Sequence, residues 1–281
     1  MKQYLFELFE NKEYDSNFER FKFKIPSLRV SLLGRCNENC FYCHNEGVPK
    51  KISSIIRTGD IINVIYSLKG FGLKKIKFTG GEPLLYKDLK NLLYKVKHIN
   101  DLKLYITTNG TLIRKRIKDI SPNIIDKISV SLDTLDPKFY KYITGKDYLN
   151  EVLSGLQMLK NFGYNVEIDA VLLKNINSAK ASLNELIDYC VNNGFDLQFI
   201  ELSNEETGEA PYSKFYADPY VTLKKAGLDF SNDDTNDRQF FKIKNSKITL
   251  CRKVSDVCKS TGDRCSGLRL LPNGVLKNFY Y

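Results

Sequence analysis

The feature that most constrains the fold is a repeated alternation of apolar, β-branched runs with helical patterns between residues 27 and 203. The pattern predicts strands at 28–33, 75–79, 102–107, 127–132, 166–173 and 197–202, with helices at 58–70, 87–98, 112–118, 150–162 and 178–193. Strand followed by helix, repeated in this way, implies parallel pairing with right-handed crossovers. Because these units are too few for a closed eight-stranded barrel, an open, partial α/β barrel and a doubly wound sheet are the two architectures that fit.

The remaining residues divide into a short region before this core and a longer one after it. Residues 1–26 lack clear periodicity and form a predicted N-terminal extension, and 27–205 form the core. Residues 206–281 form a C-terminal region, where a tight-turn signal at Asn273-Gly274 predicts a pair of short strands.

Composition and charge exclude several classes of protein. The apolar runs are far shorter than the ~20 residues of a membrane span, and no secretory signal is visible, so we expect a cytoplasmic protein with no membrane partner. The net charge of +10 favours an anionic partner, or equally a lysine-rich solvated surface. His44 and His98 are the only histidines, so no Ser/His/acid constellation of a hydrolase stands at the strand ends.

Residues with side chains suited to catalysis or ligand binding follow the predicted strands. In either architecture the active site lies at the carboxyl ends of the strands. Cys36 follows the first strand, Gly80-Gly81-Glu82-Pro83 the second and Asn109 the third, while Asp133 follows the fourth. We therefore expect these residues to meet at one edge of the sheet.

Three cysteines lie within eight residues after the first strand, at Cys36, Cys40 and Cys43. Thiolates so close together would repel, so the spacing suits a metal centre. A four-iron cluster with three protein ligands would leave one iron open to a substrate or cofactor. A structural zinc site that adds His44 is the alternative. Cys190 stands alone in a helical pattern and is interpreted as a buried thiol.

The run from Cys36 to Cys43, with an aromatic residue before the last cysteine, resembles the signature of the radical S-adenosylmethionine (SAM) superfamily. The segments Gly80-Gly81-Glu82-Pro83, Thr107-Thr108-Asn109-Gly110 and 129–133 resemble its later motifs, in the same order. The resemblance implies a partial (β/α)6 barrel and a 4Fe–4S cluster on the three cysteines. It also implies that reductive cleavage of SAM yields a 5′-deoxyadenosyl radical, with an electron donor such as a flavodoxin or ferredoxin.

The same resemblance implies a SAM site. We expect the Glu82 carboxylate to accept hydrogen bonds from the SAM ammonium, beside Gly80 and Gly81, which let the backbone approach the ligand. Tyr42 is expected to cover the adenine, and Ser131 to bond the carboxylate or ribose of SAM. The full set of expected SAM-site residues is Tyr42, Gly80, Gly81, Glu82, Pro83, Asn109, Ser131 and Asp133.

Within the superfamily, the chain resembles the GTP 3′,8-cyclase family of molybdenum cofactor synthesis. The similarity lies in the entry strand, in 76–84 and in 265–274. It implies that Arg29, Lys77 and Arg269 contact an anionic, nucleotide substrate. It also implies a second cluster, for which the available ligands are Cys251, Cys258 and Cys265.

The chain departs from that family at several positions. Gly262 and Phe279 stand where the family has cysteines, and Gly267 replaces a second arginine. Glu167 stands where a strand-five lysine is expected, and it would repel phosphate.

A radical enzyme that modifies a peptide or another metabolite is therefore an alternative. A non-catalytic zinc- or cluster-bearing module that binds nucleic acid is a third, although no helix-turn-helix pattern or aromatic-interleaved basic stripe supports it.

Overall fold

The structure is a computed structural model that describes residues 25–43, 54–203, 209–230, 238–252 and 267–279. The strands are β1 Ser27–Ser31, β2 Lys75–Thr79, β3 Lys103–Thr108, β4 Lys127–Ser131, β5 Val166–Val171, β6 Asp196–Ile200, β7 Arg238–Ile243, β8 Ser246–Cys251, β9 Gly267–Leu270 and β10 Leu276–Phe279. All ten belong to one sheet of order β10-β9-β1-β2-β3-β4-β5-β6-β8-β7.

Helices follow most of the central strands. Their bounds are α1 Thr58–Lys69, α2 Leu89–Lys97, α3 Ile113–Arg116, α4 Pro137–Thr144, α5 Leu149–Asn161, α6 Lys180–Asn193, α7 Glu209–Phe215 and α8 Pro219–Lys224, with one turn of 3₁₀ helix at Pro83–Leu85. Within these described ranges, no helix is both long and apolar enough to cross a membrane.

The predicted partial barrel is confirmed. Strands β1 to β6 are neighbours in chain order and pair in parallel, and the sheet does not close on itself. The hydrophobic periodicity of the sequence did not predict helix α4, although residues at both of its ends are typical helix caps. Asp136 accepts hydrogen bonds from the Lys138 and Phe139 N–H groups at 2.7 and 3.2 Å, and Gly145 ends the helix at φ 68°.

Successive side chains along each strand point to opposite faces of the sheet. In β1, Leu28 and Val30 are almost fully buried beneath the helices, whereas Arg29 lies on the opposite face. That opposite face is concave, because Lys77 on β2 comes within 4.0 Å of Asp169 on β5 although two strands separate them. Polar residues line it: Arg29, Ser31, Lys77, Thr107, Ser129, Glu167, Asp169, Gln198, Thr249 and Arg269.

Strands from the C-terminal region extend the sheet at both edges. β8 pairs in parallel with β6 and carries antiparallel β7, while β9 pairs in parallel with β1 and carries antiparallel β10. The predicted turn between the last two strands is confirmed at Asn273-Gly274, where Gly274 has φ 85°. The region after the core thus frames the open side of the barrel.

Candidate active site

The loop after β2 is bonded to the loop that carries the cysteines. The Gly81 N–H donates to the Leu33 carbonyl at 2.6 Å, and the Glu82 N–H donates to the Arg35 carbonyl at 2.9 Å. A Cβ atom at Gly81 would lie 2.0 Å from the Arg35 oxygen, so only glycine permits this approach. The first two predicted motifs are therefore in direct contact.

Glu82 joins the loops that follow β2 and β3. Its carboxylate accepts hydrogen bonds from the Leu84 N–H at 2.9 Å, the Thr108 hydroxyl at 2.7 Å and the Asn109 N–H at 2.8 Å. Burial raises the pKa of Glu82 to about 7 despite these bonds. The Glu82 side chain has no exposed surface. The carboxylate thus braces the two loops, and Pro83 begins the 3₁₀ turn that presents the Leu84 N–H. The contact with the SAM ammonium stays a prediction.

Asn109, directly after β3, bonds to the cysteine loop. Its amide nitrogen lies 3.6 Å from the Cys36 sulfur and donates to the Asn37 side-chain oxygen at 2.9 Å. Its own oxygen accepts from the Thr111 hydroxyl at 2.7 Å. Asn109 therefore holds the first cysteine of the loop.

Helix α4 holds the middle of the cysteine loop. The Asn39 and Phe41 N–H groups donate to the last carbonyls of the helix, those of Thr144 and Ile143, at 2.9 and 3.1 Å. The Tyr140 hydroxyl donates to the Glu38 carboxylate. Sequence reasoning missed Glu38 and Tyr140, and the Asp136-Pro137 cap was the available signal for the helix that carries the tyrosine.

The loop after β4 holds the last part of the cysteine loop. The Tyr42 hydroxyl donates to Asp133 at 2.6 Å, and the other oxygen of Asp133 accepts from the Val171 N–H at 2.8 Å. Burial raises the pKa of Asp133 to about 6. Ser131 is exposed at the end of β4. Tyr42 is thus fixed by a carboxylate, and its ring packs edge-on against Phe41.

The three thiols lie in an environment that suits a cationic centre. Cys36 and Cys43 are exposed and Cys40 is half-buried. Desolvation of the sulfur, opposed by a bond from the Glu38 N–H and reinforced by the Glu82 charge, raises the pKa of Cys36 to about 11. The pKa of Cys40 is also raised by burial. A bound metal reverses this preference, since a coordinating thiol is deprotonated.

Three thiols form the donor set of the cysteine loop, and a four-iron cluster is one centre that could bind to them. Among the described residues, no group of three Cys, His, Asp or Glu side chains is arranged around one metal ion. A four-iron cluster offers a separate iron to each thiolate, so its cysteines need not converge on one point. His44, the fourth ligand of the alternative zinc site, lies outside the described residues.

The three predicted substrate contacts form an in-register row on adjacent strands. Arg29 on β1 pairs with Lys77 on β2 and with Arg269 on β9. We call these three residues the basic row. They lie on the concave face, so a single anion could contact side chains from all three strands.

The second group of cysteines is described only in part. Cys251 ends β8, beside Ile200 of β6, at the same carboxyl edge as the first cysteine loop. Cys258 and Cys265 lie outside the described residues. The second cluster therefore stays a prediction.

Comparisons with known proteins agree with this geometry. A profile of the Radical SAM superfamily matches residues 30–187. The "Probable GTP 3′,8-cyclase" of Methanothermobacter thermautotrophicus is 32% identical over 263 residues, which cover 90% of this chain and 83% of that protein. The GTP 3′,8-cyclase of Peptoclostridium acidaminophilum is also 32% identical, over 90% of this chain and 80% of that protein.

Solved structures share the fold at lower identity. Streptococcus suis SuiB bound to SAM superposes with a TM-score of 0.69 at 19% identity, over 90% of this chain and 60% of that chain. SuiB bound to its precursor peptide SuiA gives a TM-score of 0.66 at 19% identity. The chain therefore spans about 60% of the length of SuiB.

Proposed function

Because the chain belongs to the radical SAM superfamily, we propose that it cleaves SAM reductively at a 4Fe–4S cluster held by Cys36, Cys40 and Cys43. When bound, the cluster and SAM supply the 5′-deoxyadenosyl radical that abstracts a substrate hydrogen. The proposed substrate is an anionic small molecule, with the nucleotide GTP as the first candidate. A cytoplasmic setting and a flavodoxin or ferredoxin as electron donor belong to the same proposal.

One observation carries the proposal: the loops that follow β2, β3 and β4, together with α4, all bond to the cysteine loop. The Glu82 N–H reaches the Arg35 carbonyl at 2.9 Å, Asn109 reaches Asn37 at 2.9 Å and Tyr42 reaches Asp133 at 2.6 Å. Such bracing fixes ligand positions before any cofactor binds. Gly80, Gly81 and Ser131 lie at the same edge, where the proposed SAM contacts would form.

The chain also supplies an apolar cover beside the cysteines. Phe215 at the end of α7 packs against Phe41 at a centroid distance of 4.6 Å, and the two belong to an aromatic and aliphatic cluster with Ile143 and Leu202. We propose that this cluster keeps water away from the reacting atoms, as radical chemistry requires.

The basic row supports the proposal of an anionic substrate, and the cyclase relatives make GTP the first candidate. Modification of a peptide is a second candidate, because SuiB, with the same fold, has been solved with its precursor peptide.

The test uses protein reconstituted with iron and sulfide under anaerobic conditions, then given dithionite, SAM and GTP. We expect 5′-deoxyadenosine together with a rearranged guanine nucleotide, detected by mass spectrometry. Cys36→Ala should abolish cleavage, whereas Cys190→Ala, which alters a buried thiol in α6, should retain it. Cleavage that survives in Cys36→Ala would overturn the proposed function; deoxyadenosine without change in GTP would redirect the substrate search.

A further inference from the structure

Helix α4 presents aromatic rings and lysines to solvent. Tyr142 is 54% exposed and Phe139 37% exposed, and a spacing of three residues makes them neighbours on the helix surface. Lys138 and Lys141 are exposed beside them, and Lys146 is exposed just after the helix ends. We call these five residues the α4 patch. Exposed aromatic rings within a polar, charged rim are typical of a surface that binds another protein.

The α4 patch adjoins the cysteine loop through direct contacts. The ring centroid of Tyr142 lies 5.8 Å from that of Phe41, which stands between Cys40 and Cys43 in the sequence. The backbone N–H of Phe41 also donates to the Ile143 carbonyl of the same helix at 3.1 Å. A molecule that binds to the α4 patch would therefore lie one ring away from the segment that links two of the proposed cluster ligands.

Positive charge continues from the α4 patch onto α7. The nitrogen of the exposed Lys214 lies 5.0 Å from the ring centroid of Phe215, and that ring lies 6.3 Å from the ring of Tyr142. Of the carboxylates at the two ends of α4, Asp136 caps the helix and Asp147 lies 3.9 Å from a lysine of the patch. The four lysines outnumber these two carboxylates, so the surface favours an acidic partner.

The position of α4 in the fold suits a partner that acts on the cluster rather than a substrate. The helix lies in the connection between β4 and α5, at the rim of the barrel, whereas the basic row lies on the concave face. An electron donor that leaves the substrate in place has to approach the cysteine loop from the rim or from the outer side. The α4 patch is exposed on that approach.

We infer that the α4 patch, together with Lys214, is the docking surface for reduced flavodoxin. The partner that fits is a one-electron carrier whose apolar flavin edge is exposed among carboxylates. The rings of Phe139 and Tyr142 would contact the flavin edge, and the lysines would pair with the surrounding carboxylates. The flavin loses one electron and the cluster gains it, with no bond formed or broken. The inference rests on the proposed function and adds the surface at which its electron donor binds.

The test measures the binding of flavodoxin to the reconstituted protein by isothermal titration calorimetry, at low and at high ionic strength. The variant Lys138→Glu/Lys141→Glu reverses two charges of the α4 patch, and Lys138→Arg/Lys141→Arg keeps them. The matched control is Lys95→Glu/Lys97→Glu, which changes the net charge equally. Both control residues are exposed in the last turn of α2, which runs back to the amino edge of the sheet. Iron analysis of every sample ensures that only proteins with the cluster are compared.

We expect the Kd for flavodoxin to rise roughly tenfold in the glutamate variant of the α4 patch, and the arginine variant and the α2 control to match the parent. The affinity of the parent should fall as salt is added, and that of the glutamate variant should fall less. Stopped-flow absorbance should show that reduced flavodoxin reduces the cluster of the glutamate variant roughly tenfold more slowly at low flavodoxin concentration.

Equal flavodoxin affinity in the parent and in the glutamate variant of the α4 patch would overturn the inference. An absence of flavodoxin binding to the parent would do the same. A ferredoxin that binds the parent when flavodoxin does not would show that the choice of a flavin carrier is wrong.

Cleavage of SAM by the parent with dithionite separates this inference from the proposed function, because a small reductant needs no docking surface. If the parent cleaves SAM with dithionite while the flavodoxin affinity is insensitive to residues 138 and 141, the docking inference alone fails. A parent protein that carries the cluster and still forms no deoxyadenosine with dithionite would count against the proposed function.

Discussion

Glu82 makes contacts that its sequence motif does not reveal. Its position after a strand was predictable, because Gly80-Gly81-Glu82-Pro83 follows an apolar run. Its hydrogen-bond partners in the protein were not, because the three donors to its carboxylate come from positions 84, 108 and 109, which only folding brings together. The sequence thus identified the residue, and the tertiary structure identified the donors that bind its carboxylate.

Replacement of Glu82 by glutamine tests that role. An amide has one acceptor oxygen where the carboxylate has two, so at least one of the three donors loses its partner or faces an N–H group. We expect Glu82→Gln to lower the free energy of unfolding by about 1–3 kcal/mol. Denaturant unfolding measures the change, and Glu151→Gln, at an exposed position of α5, should leave stability unaltered. A Glu82→Gln protein as stable as the parent would show that the brace is dispensable.

At the level of elements, the central strands were predicted to within two residues, because β-branched and apolar residues are concentrated in them. Helix α4 was not predicted, since its eight residues are too few for periodicity to identify. This short helix is nevertheless the element that bonds to the middle of the cysteine loop. The position of the cysteine loop therefore depends on a helix whose formation is specified by its caps and by tertiary contacts.

The contact between α4 and the cysteine loop can be weakened without altering the helix. Tyr140→Phe removes the hydroxyl that donates to Glu38 and retains the ring, so the half-buried carboxylate loses this donor. We expect a loss of about 1–3 kcal/mol of stability and a lower iron content after anaerobic reconstitution and desalting. Tyr142→Phe, on the same helix with its side chain exposed, is the matched control. Equal iron in both variants would contradict an anchoring role for Tyr140.

At the scale of the whole molecule, the net charge of the chain does not describe the charge of its barrel interior. The chain carries a net charge of +10, yet its concave face sets the basic row against the carboxylates of Glu167 and Asp169 on β5. The excess of lysine therefore says little about the interior of the barrel. Strand alternation does place Glu167 and Asp169 on one face, but their closeness to Lys77 depends on the curvature of the sheet, which no local pattern encodes.

The C-terminal region offers a whole-molecule prediction about metal content. Cys251 ends an edge strand at the carboxyl side of the barrel, where a second cluster with Cys258 and Cys265 would face the same interior as the first. Changing the three cysteines together to alanine should lower iron by up to about four atoms per chain, as measured by iron and sulfide analysis. The first cluster, and therefore SAM cleavage, should persist. Equal iron in variant and parent would show that no second cluster forms.

The pairing of β1 with β9 also determines the order in which the protein can be completed. Ser27 of β1 pairs with Gly267 of β9, which is 240 residues later in the sequence. Strand β1 therefore leaves the ribosome long before its partner strand is synthesised. Until then β1 presents an unpaired edge, which is the kind of surface that recruits other chains. Contacts so distant in sequence are also slow to form. The free edge of β1 in the nascent chain is therefore exposed to aggregation until β9 has been synthesised and pairs with it.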